Sequence, residues 1–361
     1  TIDPEWLIVE EGFQLAREHE VESIFSLANG YAGTRGSIAE GTRLSAPATY
    51  VAGVFASSES SSVPALAHVG DWTRLVATIE GERVTVDPER QAEHRRILDM
   101  RQAIQWREWR QRDAAGRVTS IRGMRLLSLA DRHVFLQSVV VLPENYGGNV
   151  SVDVSISDDD CVGGDGFGLR EVEPPGSGVR VAICMATLID GQLQYGSKYV
   201  ANLSMGQPRR LDRLVVVQTS RDSPEPPAER AMDHLREVVA SGIDRVTEAH
   251  RQAWDERWRA CDVVIRGDPA SQRAMRFACY HLISAANPED DRVSIGARAL
   301  TGDAYKGHVF WDTEVYMLPF FTLTHPATAR ALLGYRYRTL PAARRRAIRA
   351  GCRGALYAWE S

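Results

Sequence analysis

The segment Asp222-Ser-Pro-Glu-Pro-Pro227 divides the sequence into two halves of different periodicity. Its three prolines stop strand pairing and stiffen the connection. Upstream, short apolar or alternating runs recur at Arg74 to Ile79, Arg83 to Val86, Val134 to Leu142, Val150 to Ile156, Val179 to Ile189 and Leu214 to Val217. Turn signals separate them, among them Asn29-Gly30, Glu80-Gly81, Ala115-Gly116, Tyr146-Gly147-Gly148 and Asp190-Gly191. Runs of period two joined by such turns read as strands and hairpins. Many short strands without intervening helices predict one large antiparallel β-sandwich over residues 1–222.

Downstream the spacing becomes helical. Met232, Leu235, Val239, Ile243, Val246, Ala249, Ala253 and Trp254 recur at three- and four-residue steps, and Ser241-Gly242 splits the run into two helices. Trp254 and Trp258 lie four apart on one face, as core anchors do. These residues predict a helical linker over 223–268. From 269 to 361 the pattern is paired helices. One carries Met275, Phe277, Ala278, Leu282 and Ile283 and ends near Asn287-Pro288. A turn-rich loop runs to Gly307, a second helix spans Asp312 to Thr324, and a third starts at Pro326. Pro341 is expected to restart a fourth, whose Arg344-Arg345-Arg346 run reads as a solvated face rather than a nucleic-acid patch. The glycine-rich run Gly163 to Gly168 has no following helix and no closing Gly-Lys-Ser/Thr, so it reads as a surface loop, not a phosphate cradle.

Composition narrows the function classes. A net charge of −4 over 361 residues offers no basic field for nucleic acid or an anionic membrane. No apolar run approaches the ~18 residues of a membrane span, and no secretory signal opens the sequence. Five widely spaced cysteines without a Cys-x-x-Cys pair fit reduced thiols in the cytoplasm better than disulfides or zinc. The sequence starts at Thr1 and stops at Trp359-Glu360-Ser361, and the expectation is a piece of a longer protein.

The chemistry concentrates in Gly296-Ala-Arg298-Ala-Leu-Thr-Gly302-Asp-Ala-Tyr305-Lys306-Gly307-His308-Val-Phe310-Trp311-Asp312-Thr-Glu314. Glycines let this loop approach a ligand. Carboxylates and arginine grip hydroxyl pairs, and an aromatic ring takes the apolar face of a pyranose. The stretch closely resembles the loop-helix motif of glycoside hydrolase family 65, the maltose, trehalose and kojibiose phosphorylases. Three further segments resemble that family in order along the chain. They are Glu22 to Gly36, His250 through Trp254 and Trp258 to Asp268, and Tyr335 to Ser361.

The resemblance implies a β-sandwich, a helical linker and the first helices of an (α/α)6 barrel. It implies an inverting disaccharide phosphorylase that cleaves an α-glucosidic bond with inorganic phosphate as co-substrate and no cofactor, giving β-glucose 1-phosphate. The general-acid glutamate is expected beyond Ser361, so Glu360 is not that acid and residues 1–361 are expected to be inactive alone. Trp311 and Asp312 are carried over as glucose contacts. Asp312 also fits a helix N-cap, and Trp311 core packing. Arg298 is read as bracing Asp312, touching sugar or forming a plain salt bridge. Trp359 and Glu360 are placed near the same pocket, His308 as a hydrogen bonder behind it without a metal role, and Glu314 as a tie between helices. For Asn29 to Gly36 the reading is tight turns with Arg35 in a structural ion pair. A homodimer in the cytoplasm, with disaccharide and phosphate but no nucleic acid, membrane or metal, completes the expectation. The competing readings are an α-glucoside hydrolase of the same fold, similar to trehalases, and a non-catalytic carbohydrate-binding fragment.

Overall fold

The computed structural model describes residues 3–58, 61–86, 91–155, 161–162 and 166–360. Among these, a ten-stranded antiparallel sheet runs Leu7–Glu11, Gln91–Asp99, Ile104–Arg112, Val118–Leu127, Val134–Pro143, Arg209–Thr219, Val181–Ile189, Phe167–Val172 and Cys161–Val162, with Gln192–Leu193 paired to Val181–Ile189. A four-stranded sheet of Lys198–Leu203, Gly148–Asp153, Val76–Ile79 and Glu82–Arg83 covers part of one face. Its Ala77, Ile79, Val150 and Val152, with Leu75 just before the strand, pack with Trp109 and Leu211 of the large sheet. A second four-stranded sheet comprises Leu27–Ala28, Ala32–Thr34, Thr49–Ser58 and Ser61–His68. The Glu80-Gly81 and Asp190-Gly191 turns have positive φ at both positions, the twist that joins adjacent strands directly.

The sandwich buries charge as well as hydrocarbon. Arg96 is fully buried and forks onto Glu18 at 3.1 and 2.8 Å while also reaching Glu10. Arg107 forks onto Glu40 with both contacts at 2.7 Å. Arg213 donates to the carbonyls of Trp72, Arg74 and Val154, fastening the large sheet to the loop and strand opposite. A buried ion survives only when its hydrogen bonds are met, and forked guanidinium–carboxylate pairs meet them. Arg96 and Arg107 occupy inward-facing strand positions where an apolar side chain is usual.

The β region is not free of helix. Helix α1 (Glu18–Ile24) forms because its carboxylates are neutralised by the sandwich: Glu18 by Arg96 and Glu22 by Arg35. Helix α2 (Pro227–Ser241) lies on the large sheet through Ala231, Leu235 and Val238, and ends at Gly242, whose φ is +85°. Helix α3 (Ile243–Cys261) docks through Trp254 and Trp258, both buried, with Trp258 Nε1 donating to the Met100 carbonyl at 3.0 Å. Removing a fully buried tryptophan such as Trp254 costs about 3–5 kcal/mol. Helix α4 (Pro269–Ala285) starts on Asp268, which accepts from the Ala270 and Ser271 amides at 3.1 Å each, with Pro269 at the first position.

Helix α5 (Leu318–Thr324) and helix α6 (Pro326–Arg349) pack together over Phe321, Ala329 and Leu332. Helix α6 passes through Pro341 without restarting, a correction to the sequence reading. The missing amide leaves only the carbonyl four residues earlier without its helical donor, and that residue, Tyr337, is exposed. Arg344, Arg345 and Arg346 are exposed between buried Ala343 and Ala347, a solvated face. Cys184, Cys261 and Cys279 are buried and unbonded, and Cys352 is exposed. Ile156, residues 163–165 of the glycine-rich run and Ser361 lie outside the described residues, as does the side chain of Cys161. Among the described residues no helix is long and apolar enough to cross a membrane.

His234 of α2 meets Asp131 of the sandwich at 2.7 Å. The hydrogen bond to Asp131 raises His234 above the ordinary imidazole value against the opposing effect of burial. Burial is the largest single effect on Asp131 and pushes it up, but the hydrogen bond and charge of His234, with the amide and charge of His133, together lower it overall. The histidine contribution is therefore whole below the ordinary imidazole value and fades as pH rises through the raised one. The aspartate contribution is whole above the ordinary carboxylate range and fades as pH falls through the lowered one. Chemical denaturation across pH is expected to show stability falling by less than about 1 kcal/mol as pH rises past neutrality, a step that His234→Gln removes.

Candidate sugar site at the seam

Asn29 to Gly36 forms the joint between sandwich and helices. Asn29 accepts from the Tyr31 and Ala32 amides at 3.1 and 3.0 Å and donates to the carbonyls of Ser128 and Arg132 at 2.7 and 2.9 Å. A Cβ at Gly30 would fall onto the Ala286 carbonyl, and one at Gly33 onto the Leu300 carbonyl, so backbone meets backbone there. Buried Arg35 pairs with Glu22 at 3.1 Å and sends a second nitrogen to the Thr301 carbonyl, also at 3.1 Å. The ion pair expected for Arg35 is present, and it reaches the chemical loop.

That loop folds back on itself. The Ala297 amide donates to the His308 carbonyl at 3.2 Å, and Thr313 Oγ1 to the Ile295 carbonyl at 2.9 Å. Tyr305 and Lys306 adopt φ of +60° and +55°, both followed by Gly307 at +72°. Two non-glycine residues in the left-handed region store about 1–2 kcal/mol each.

Trp311 and Trp359 are exposed at 51% and 58%, and their rings lie 4.8 Å apart at 57°. Trp311 is therefore not core packing. Phe310 stands edge-on to Trp359 at 6.3 Å and to Tyr305 at 5.9 Å. Asp312 is half-buried at the head of a wide π turn, Thr313–Met317, that leads into α5. The single helix expected from Asp312 is thus a π turn followed by an α-helix. Asp312 makes no side-chain cap to that turn, so the N-cap alternative is not what the structure contains. Glu314 and the Phe310 carbonyl both bind Arg336 of α6, at 2.7 and 3.0 Å, which makes Glu314 a tie between helices. Arg298 is exposed on a turn, its carbonyl accepting from Thr301 N and Oγ1 at 3.1 and 2.9 Å, with no ion pair among the described residues.

Among the described residues, only Trp311 and Trp359 of the five predicted for the site are in contact, and Glu360 faces a cavity that Trp311, Asp312, Trp359 and Arg298 do not line. Phe310 and Glu360 form an isolated antiparallel bridge that turns Trp359 towards Trp311. Glu360 Oε1 instead lies 2.7 Å from His308 Nδ1. There it lines a cavity of about 690 Å³ between the Thr49–Ser58/Ser61–His68 hairpin and the helices, together with Pro64, Asn287, Arg292, His308 and Tyr335. Sequence spacing gave no signal for Asn287, Arg292 or Tyr335, which reach one cavity from separate elements. Among the described residues no group of three His, Cys, Asp or Glu is placed to hold a metal ion.

The fold is a large antiparallel sandwich leading through a helical linker to paired helices, with aromatic rings and carboxylates at the seam. The chain belongs to glycosyl hydrolase family 65: residues 8–257 match its N-terminal domain and residues 276–361 its central catalytic domain. It is 33% identical to kojibiose phosphorylase of Caldanaerobacter subterraneus across 99% of this chain and 51% of that protein. Identity to maltose phosphorylase of Bacillus subtilis is 30%, over 98% and 52%. Identity to α,α-trehalose phosphorylase of Thermoanaerobacter brockii is 28%, over 99% and 52%. The chain thus spans about half the length of the curated relatives it matches. A solved structure of a proposed kojibiose phosphorylase from the human microbiome superposes with a TM-score of 0.88 at 22% identity, covering 99% of this chain and 52% of that one. That likeness confirms the fold.

Thermal unfolding checks the seam. Gly33→Ala is expected to lose about 1–3 kcal/mol or more, because the opposing group is a fixed carbonyl. Lys306→Gly is expected to gain up to about 1 kcal/mol by releasing left-handed strain.

Proposed function

We propose that this chain is the N-terminal part of an inverting disaccharide phosphorylase acting on an α-linked glucoside. The observation that carries the reading is the exposed Trp311–Trp359 pair beside an Asp312 carboxylate not used as a cap. An aromatic surface takes the apolar face of a pyranose, and an adjacent carboxylate accepts from two neighbouring hydroxyls. Three relatives that carry phosphorylase names support the same chemistry.

In this reading the glucose to be transferred rests on Trp311 with its hydroxyls on Asp312. Inorganic phosphate attacks the anomeric carbon from the face opposite the departing oxygen. The new carbon–oxygen bond forms as the glycosidic bond breaks, and a glutamic acid outside residues 1–361 gives its proton to the leaving oxygen. Phosphate is already an anionic nucleophile, so no second carboxylate need activate it. The products are β-glucose 1-phosphate and the free acceptor. We assign the full-length enzyme no cofactor, a homodimeric state and a cytoplasmic location.

The full-length protein, given kojibiose, trehalose or maltose, is expected to release β-glucose 1-phosphate only when phosphate is added. Glucose release independent of phosphate would establish the hydrolase alternative instead. Asp312→Asn is expected to lower kcat/KM by about 100-fold or more, as loss of a transition-state hydrogen-bond partner does.

A further inference from the structure

We propose that the N-terminal sandwich sets the sugar site through His308, which links the Pro64 backbone to Glu360. This rests on the sugar-enzyme reading above. His308 Nε2 lies 2.7 Å from the Pro64 carbonyl and Nδ1 lies 2.7 Å from Glu360 Oε1. A carbonyl and a carboxylate both only accept, so the two contacts together need a hydrogen on each ring nitrogen, Nε2–H donating to Pro64 and Nδ1–H donating to Glu360 Oε1. The imidazole is mostly buried, its side chain 12% exposed against 45% for Glu360. A half-exposed glutamate would otherwise sample many rotamers, and fixing it before ligand arrives is preorganisation.

The loop is seated on the same hairpin twice. One residue before His308, a Cβ at Gly307 would meet Leu66 Cβ at 2.6 Å, two residues along the strand from Pro64. The Phe55 ring lies 6.4 Å from the His308 ring. On the far side, the Phe310–Glu360 bridge fixes the backbone that carries the carboxylate. With Oε1 held by His308, Oε2 remains to accept from a hydroxyl of the disaccharide where it extends from the Trp311–Trp359 pair towards the cavity that Glu360 lines. His308 is a positioning residue, and the hairpin contributes to sugar affinity without touching sugar.

Two isosteres separate the ends of the link. Asparagine places its amide nitrogen near Nδ1 and keeps the Glu360 contact, while glutamine places its nitrogen near Nε2 and keeps the Pro64 contact. In the full-length enzyme, both His308→Asn and His308→Gln are expected to raise the disaccharide KM about tenfold with kcat little changed, and to add less than about twofold in a Glu360→Gln background. A wild-type KM for His308→Asn would show that the sandwich end is idle. Full additivity with Glu360→Gln would show that His308 acts by another route. Either result overturns the proposal. Deuterium exchange at the His308 ring carbon, read by mass spectrometry without sugar, tests the link itself. Exchange is expected to change several-fold on Glu360→Gln, and an unchanged rate overturns it. Absence of turnover on all three disaccharides with phosphate would defeat the enzyme reading while the exchange measurement still decides the link.

Discussion

The Arg35 guanidinium is the group on which the two halves of the molecule depend. It is buried against Glu22 of α1 and reaches out to the Thr301 carbonyl in the chemical loop. Glu22 in turn accepts from the Ala46 amide, so the ion pair also fixes the segment leading into the hairpin. An unpaired charge at this depth would be costly, and the pair persists because each end is met by further hydrogen bonds. The helical loop thereby becomes part of the sandwich's polar network.

Close approach of backbones then converts this link into rigidity. At Gly30 and Gly33 no side chain separates the sandwich from Ala286 and Leu300, and a packed backbone contact has little room to slide. Strain at Tyr305 and Lys306 persists because the surrounding contacts over-determine it. The outcome is a loop held from both sides that presents exposed tryptophans at an angle fixed by its neighbours. A ligand binding there meets a surface whose ordering cost is already met.

Much of this organisation is legible in the sequence. The proline cluster marks the change from strands to helices, the Glu-Gly and Asp-Gly turns mark hairpins, and Trp254 and Trp258 show the buried face of α3. The strands Gln91–Asp99 and Ile104–Arg112 escape notice for a physical reason. Their inward positions are taken by His94, Arg96, Gln105 and Arg107, so alternation of hydrophobicity is lost where burial is satisfied by ion pairs. Helix α1 is hidden similarly, since its buried residues include Glu18 and Glu22. Within the site, the family motifs name Trp311, Asp312, Arg298, Trp359 and Glu360 as one set, of which the structure pairs the rings of Trp311 and Trp359. That Glu360 turns towards His308 depends on a bridge between residues fifty apart, which no local spacing encodes.

The central claim is that the sandwich holds the sugar-facing loop in place. Backbone hydrogen exchange of the full-length protein carrying Arg35→Met measures this directly. The account expects amides from Ala297 to His308 to exchange faster while those of the strand Val134–Pro143 keep their protection. Unchanged exchange in the loop, with or without loss of global stability, would contradict it.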